Sequence, residues 1–247
     1  MTPVVQLEKA CEYATHMSPD RRNWTRHFVY RSTHTRTTWK FRVGFVVLVL
    51  AAAWLTSRWW TDAIARSLVC ETNGAPSDAI LVENFDPDYR TFEHATRLRK
   101  AGYASRVLVP VARDPGTLDV KPVERATAEM LARLSRLGDF EFVPIQTVEP
   151  ISLNAARDVL HFVQKERIRS LLVVSPLFRS RRSALVYEAT LGRAGITVRC
   201  EPVRPRDLAW WANSWHGVEY IAEQWLKLQY YRLYVLPFHT PPVDAGT

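Results

Sequence analysis

Three arginines, Arg179, Arg181 and Arg182, follow an apolar run, Leu171–Val174, that Ser175 and Pro176 bring to an end. Forked guanidinium donors match phosphate oxygens, and a helix beginning among them would add unpaired N–H groups and a positive dipole. A second polar segment, Glu83–Arg90, follows the apolar run Ala79–Val82 and supplies Glu83, Asp86 and Asp88. Carboxylates of this kind act as a general base or hold a divalent cation. Glu149, Ser152 and Asn154 come after a third run, Glu141–Ile145. The candidate catalytic residues are therefore Glu83, Asp86 and Asp88. The candidate ligand-binding residues are Arg90, Glu149, Ser152, Asn154, Ser175, Arg179, Arg181 and Arg182. Each group also has a plain structural reading. The charged loops suit a solvated salt-bridge network, Arg181 can point to water, and Ser175 can simply end its strand. Ser152 or Asn154 can cap a helix, and Glu124 can complement a helix dipole.

Alternating apolar and amphipathic segments must position these residues. Strands are expected at Ala79–Val82, Arg106–Pro110, Glu141–Ile145, Leu171–Val174 and Thr197–Val203. Helices are expected at Thr91–Ala101, with Phe92, Ala95 and Leu98 inward, and at Val123–Leu137, with Met130, Leu131, Leu134 and Leu137 inward. A third spans Asn154–Ile168, with Val159, Phe162 and Val163 inward, and a fourth ends at Gly195. Strands separated by helices of this length predict an α/β domain with a mainly parallel five-stranded sheet. With the first strand central, the order is 3-2-1-4-5, and the loops after strands one and four face each other where the order reverses. Ligands bind at such a crevice.

The chain has 247 residues, nine tryptophans and a net charge of +8. Residues 1–42 carry eight Lys/Arg against three Asp/Glu, so most of that charge lies in the N-terminal tail. There is no basic–aromatic RNA-binding motif, and no nucleic-acid partner is expected. No Ser/His/Asp order, Walker loop or zinc-like Cys/His spacing occurs. Val43–Ser57 has no charged residue; as a helix it spans about 22 Å, and extension to Ile64 brings about 33 Å, near the hydrocarbon thickness. Trp39, Trp59 and Trp60 flank it, and Arg26, Arg31, Arg36, Lys40 and Arg42 crowd its N-terminal side. The expectation is a single-pass membrane anchor, with the N-terminus cytoplasmic and the main domain outside. A signal peptide, favoured if translation starts at Met17, and a buried core helix compete with it.

The expected organisation is a basic tail at 1–42, an anchor at 43–64, a linker at 65–77, the α/β domain at 78–206 and an aromatic helix and tail at 207–247. That last helix can pack on the domain or rest on a bilayer. Cys70 and Cys200 share the oxidising side, where either a disulfide or two buried thiols is allowed, while Cys11 is cytoplasmic.

Three segments together resemble the YdcF/SanA/ElyC-like family of envelope-associated domains: Asp78-Ala-Ile-Leu-Val-Glu83, Glu149-Pro-Ile-Ser-Leu-Asn154 and Val174-Ser-Pro-Leu-Phe-Arg-Ser-Arg-Arg182. The resemblance spans about residues 76–205 and implies a three-layer Rossmann-like fold. For some relatives it implies a link to cell-wall or surface-polysaccharide metabolism. The chain departs from the family pattern: Glu83–Arg90 stands in place of a glycine-rich turn, Arg179 in place of a histidine, and Ala155 and Asp158 in place of a threonine and an asparagine. Arg182 is the arginine closest to the family position. The resulting expectation is a membrane-anchored envelope protein that binds or processes a phosphorylated glycan or lipid-linked intermediate, with a divalent metal as a candidate cofactor. The alternatives are a non-catalytic membrane-anchored scaffold and a nucleotide- or S-adenosylmethionine-binding module.

Overall fold

A computed structural model describes residues 39–114, 119–205, 211–212 and 214–239. The basic tail before Trp39 with Cys11, Trp210, and the residues after His239 lie outside this description. The chain divides into two compact units, Met1–Leu55 and Thr56–Thr247.

Five parallel strands form one sheet in the order β3-β2-β1-β4-β5, in agreement with the expected order. They are β1 (Ala79–Val82), β2 (Arg106–Ala112), β3 (Glu141–Ile145), β4 (Ser170–Pro176) and β5 (Thr197–Val203). The crossover helices are α2 (Tyr89–Lys100), α3 (Pro122–Ser135), α4 (Ile151–Lys165) and α5 (Ser180–Thr190), while α1 (Trp39–Ser67) precedes the sheet. After β5 come α6 (Trp215–Tyr230), a π-turn at Tyr231–Val235 and α7 (Leu236–His239).

Strand alternation sorts the core into two layers. Ala79, Leu81, Leu171 and Val173 face α4 and α5 through Val159, Val163, Val186 and Tyr187. Ile80, Val82, Leu172 and Val174 face α2 and α3 through Phe92, Ala95, Leu98 and Leu131. Such a sheet is covered on both sides, so its strands are nearly continuous in apolar residues.

Several boundaries differ from the sequence reading. Met130 and Leu134 are exposed, because α3 presents Ala128, Leu131, Ala132 and Ser135 inward, a stripe at helical spacing that small residues let approach the sheet. Helix α4 starts at Ile151, with Pro150 as its N-cap and no side-chain cap bond, so neither Ser152 nor Asn154 caps it. Glu149 Oε2 instead accepts from the Ile151 N–H at 3.3 Å.

The helix expected at 43–64 forms as part of α1, yet among the described residues no helix is long and apolar enough to cross a membrane. The charge-free run is short of the bilayer core, and Arg58 and Asp62 interrupt its continuation. The transmembrane anchor is therefore not supported. From Thr56 onward α1 belongs to the larger unit, where Ala65 and Leu68 pack with Leu177, Phe178, Trp211, Ile221 and Leu228. The aromatic C-terminal segment packs on the domain through Tyr231 and Val235 and leaves Tyr230, Leu233, Tyr234 and Phe238 exposed. Cys70 and Cys200 are joined in a disulfide.

Candidate functional site

The carboxyl ends of β1 and β4 lie side by side: Val82 pairs with Val174, and the Glu83 N–H continues the ladder to the Val174 carbonyl at 2.9 Å. Glu83 and Ser175 thus leave the sheet as neighbours, on the face that Leu81 and Val173 already turn toward α5. Both are buried. The polypeptide after β4 makes one 3₁₀ turn, Leu177–Arg179, and runs directly into α5. Arg179, Ser183 and Tyr187 then recur every fourth residue and share one helical side.

These elements close a buried polar knot. Ser183 Oγ donates to Glu83 Oε2 at 2.8 Å. Arg179 Nη2 lies 3.8 Å from Glu83 Oε1, and its Nη1 lies 3.7 Å from Asp86 Oδ2. Both contacts exceed ordinary hydrogen-bond length, and Arg179 Nε is buried with no hydrogen-bond partner. Ser175 Oγ and Tyr187 Oη are likewise buried and unpartnered. Arg182 is buried with its guanidinium 5.8 Å from the Tyr231 ring centroid. Among the described residues no carboxylate lies within ion-pairing distance of it. Burial pulls the Arg182 pKa down, against the attraction of Glu83. Burial pushes the Tyr187 hydroxyl well above its usual range, and Glu83 adds to that shift. The knot therefore holds two buried cations against one buried carboxylate, with Asp86 reaching in from the surface.

A cavity of about 240 Å³ opens beside the knot, lined in part by Asp86, Asp88, Arg90, Phe178, Arg204 and Tyr220. The Arg179–Asp86 contact joins the two regions. None of Glu83, Ser175, Arg179 and Arg182 lines this cavity, so the expected shared crevice between Glu83 and Arg182 does not form, and Arg179 reaches the cavity only through Asp86. Burial also raises the Tyr220 pKa, with Arg179 opposing.

The structure separates the remaining candidates. Asp88 is the N-cap of α2, its carboxylate accepting from the Arg90 N–H. Arg181 is exposed and borders a different cavity, because successive helical residues point about 100° apart. Asn154 Nδ2 donates to the Val148 carbonyl, and its Oδ1 accepts from Arg157. The Ser152 N–H donates to Tyr231 Oη at 3.2 Å, so Tyr231 links the first turn of α4 to Arg182. Among the described residues no group of three His, Cys, Asp or Glu could hold a metal ion. Glu83 and Asp86 both face Arg179, while Asp88 is turned to the start of α2.

Sequence reasoning missed Ser183, Tyr187, Arg204 and Tyr220. The four-residue spacing from Arg179 could have found the first two, and the position of Arg204 directly after β5 could have found it. Tyr220 had no local signal, since only the folding back of α6 brings it to the rim.

The disulfide braces this site. The Cys70 N–H donates to Ser180 Oγ at 3.0 Å, and Ser180 opens α5. No protein-family model matches the chain, and no curated protein matches it.

Proposed function

We propose that the cleft beyond β1 and β4 binds the phosphate of a phosphorylated glycan or lipid-linked intermediate in bacterial envelope metabolism. One observation carries the reading: Arg179 sits at the reversal of strand order, buried, with Nε unpartnered and its other nitrogens in long contacts only. A phosphate oxygen is the acceptor that a guanidinium in such a place matches best. Arg90 and Arg204 on the adjoining wall add further donors for a pyrophosphate or a sugar.

The envelope setting rests on the resemblance in the three loop segments, and the Cys70–Cys200 disulfide supports an oxidising compartment. The domain then belongs on the outer side of the inner membrane. A reporter fused after Thr247 tests this, and activity of a cytoplasm-only reporter would overturn it.

A non-catalytic accessory role is the second reading, and a specific observation favours it. Glu83 is held by Arg179 and Ser183, and Asp88 is engaged as a helix cap, which leaves Asp86 as the exposed carboxylate of the three. Calorimetric titration of the full chain with a nucleoside diphosphate sugar separates the readings. Heat abolished by Arg179→Gln supports ligand binding. Absence of heat with the folded wild-type chain supports the accessory role.

A further inference from the structure

Away from the β1/β4 cleft, a second cavity of about 490 Å³ is bordered by Arg66 from α1, Arg181 from α5 and Arg232 from the π-turn, with Glu71 as its carboxylate. Three elements distant in sequence thus each place an arginine on the border of one space. Like charges repel when gathered in this way. Among the described residues none of the three has an ion-pair partner within 4.0 Å; Arg66 Nε donates to the Asp62 carbonyl at 3.2 Å. This arrangement is enforced by packing. The Arg181 N–H donates to the Leu68 carbonyl at 3.0 Å, and Leu68 and Leu228 belong to one buried cluster.

Exposed apolar side chains lie on α1 (Trp59 and Trp60), on α6 (Leu226) and on the π-turn that carries Arg232 (Leu233 and Tyr234). Tryptophan and tyrosine beside basic residues are the composition of a surface that rests at the lipid headgroups. A soluble anion would use the arginines and have no use for the apolar flank. Charge and apolarity together fit one occupant.

We infer that the Arg66–Arg181–Arg232 cavity receives the phosphate of an anionic phospholipid headgroup, with the flanking aromatic and leucine side chains resting against the bilayer. This site is independent of the Arg179 cleft and does not require a membrane-crossing helix.

The test is co-sedimentation of the full chain with vesicles of pure phosphatidylcholine and with vesicles containing phosphatidylglycerol. A basic residue at an anionic surface contributes about fivefold in affinity. The triple variant Arg66→Gln/Arg181→Gln/Arg232→Gln should lose on the order of 100-fold of the phosphatidylglycerol-dependent gain, with binding to phosphatidylcholine unchanged. The basic tail contributes equally to both proteins, so the difference reports the cavity. Should the triple variant fail to fold, Arg232→Gln alone should lose about fivefold, and Arg232→Lys should keep most of the gain. Undiminished phosphatidylglycerol binding by the folded variants would overturn the inference. So would binding of inorganic phosphate through these arginines with no vesicle effect. Loss of nucleotide-sugar heat in Arg179→Gln with normal vesicle binding would leave this site standing and concern the cleft alone.

Discussion

Glu83→Gln is the most informative single change in the knot. The carboxylate is 3% exposed and faces Arg179, with Arg182 near enough to feel its field. Glutamine keeps the volume and can still accept from Ser183, so the change removes the charge alone. Arg179 would be left with Asp86, whose side chain is 75% exposed, and Arg182 with no buried counter-charge. Stranding a buried charge costs about 3–5 kcal/mol. For a chain of this size 1 kcal/mol moves Tm by about 2–4 °C, so a drop of at least roughly 6 °C is expected. Asp86→Asn breaks a contact of similar length but leaves the charge largely in water, and should cost below about 1 kcal/mol. The assay is thermal unfolding of the full chain in neutral detergent, followed by circular dichroism. A double-mutant cycle of Glu83→Gln with Arg179→Gln should show strong coupling. Equal shifts for Glu83→Gln and Asp86→Asn, or an additive cycle, would refute the account of a knot held by one buried carboxylate.

Other outcomes follow from neighbouring features. Tyr187→Phe removes a buried, unpartnered hydroxyl and should be neutral or stabilising by about 1 kcal/mol. The raised Tyr187 pKa favours the neutral phenol in the folded state. Its contribution is present below the unfolded value near 10 and is lost as pH rises beyond it, so the variant should unfold less steeply in alkaline titrations. Cys70 and Cys200 close a loop of 130 residues, and the double serine variant should lose about 2–4 kcal/mol in denaturant unfolding. It should also weaken ligand heat, since Ser180 at the head of α5 is tied to Cys70. At Gly217 an added Cβ would run into the Trp211 main chain. Gly217→Ala should therefore loosen α6, seen as a red shift in tryptophan emission.

Much of the architecture was legible because its signals are local. Apolar runs such as Ala79–Val82 and Leu171–Val174 are buried on both faces, and helices of eleven to sixteen residues separate or follow the strands. These features predicted the parallel sheet and its reversal point, and so placed the loops after β1 and β4 together. Helix ends were less legible. Leu134 carries the hydrophobicity of a core residue yet is exposed, because the inward stripe of α3 is set by what fits against the sheet.

The arginine segment draws the line most clearly. Its composition alone announced an anion-loving turn at a strand end, since charge and hydrogen-bonding type are properties of each residue. The fates of Arg179, Arg181 and Arg182 came from packing: one pairs with Glu83, one borders a separate cavity, one stacks on Tyr231. Tyr231 lies 49 positions downstream of Arg182, and no local spacing reports that distance. Amino-acid type determined what these side chains can bind. The meeting of α1, α5 and the C-terminal segment decided where each one can do so, because burial and direction exist only once distant elements share a surface.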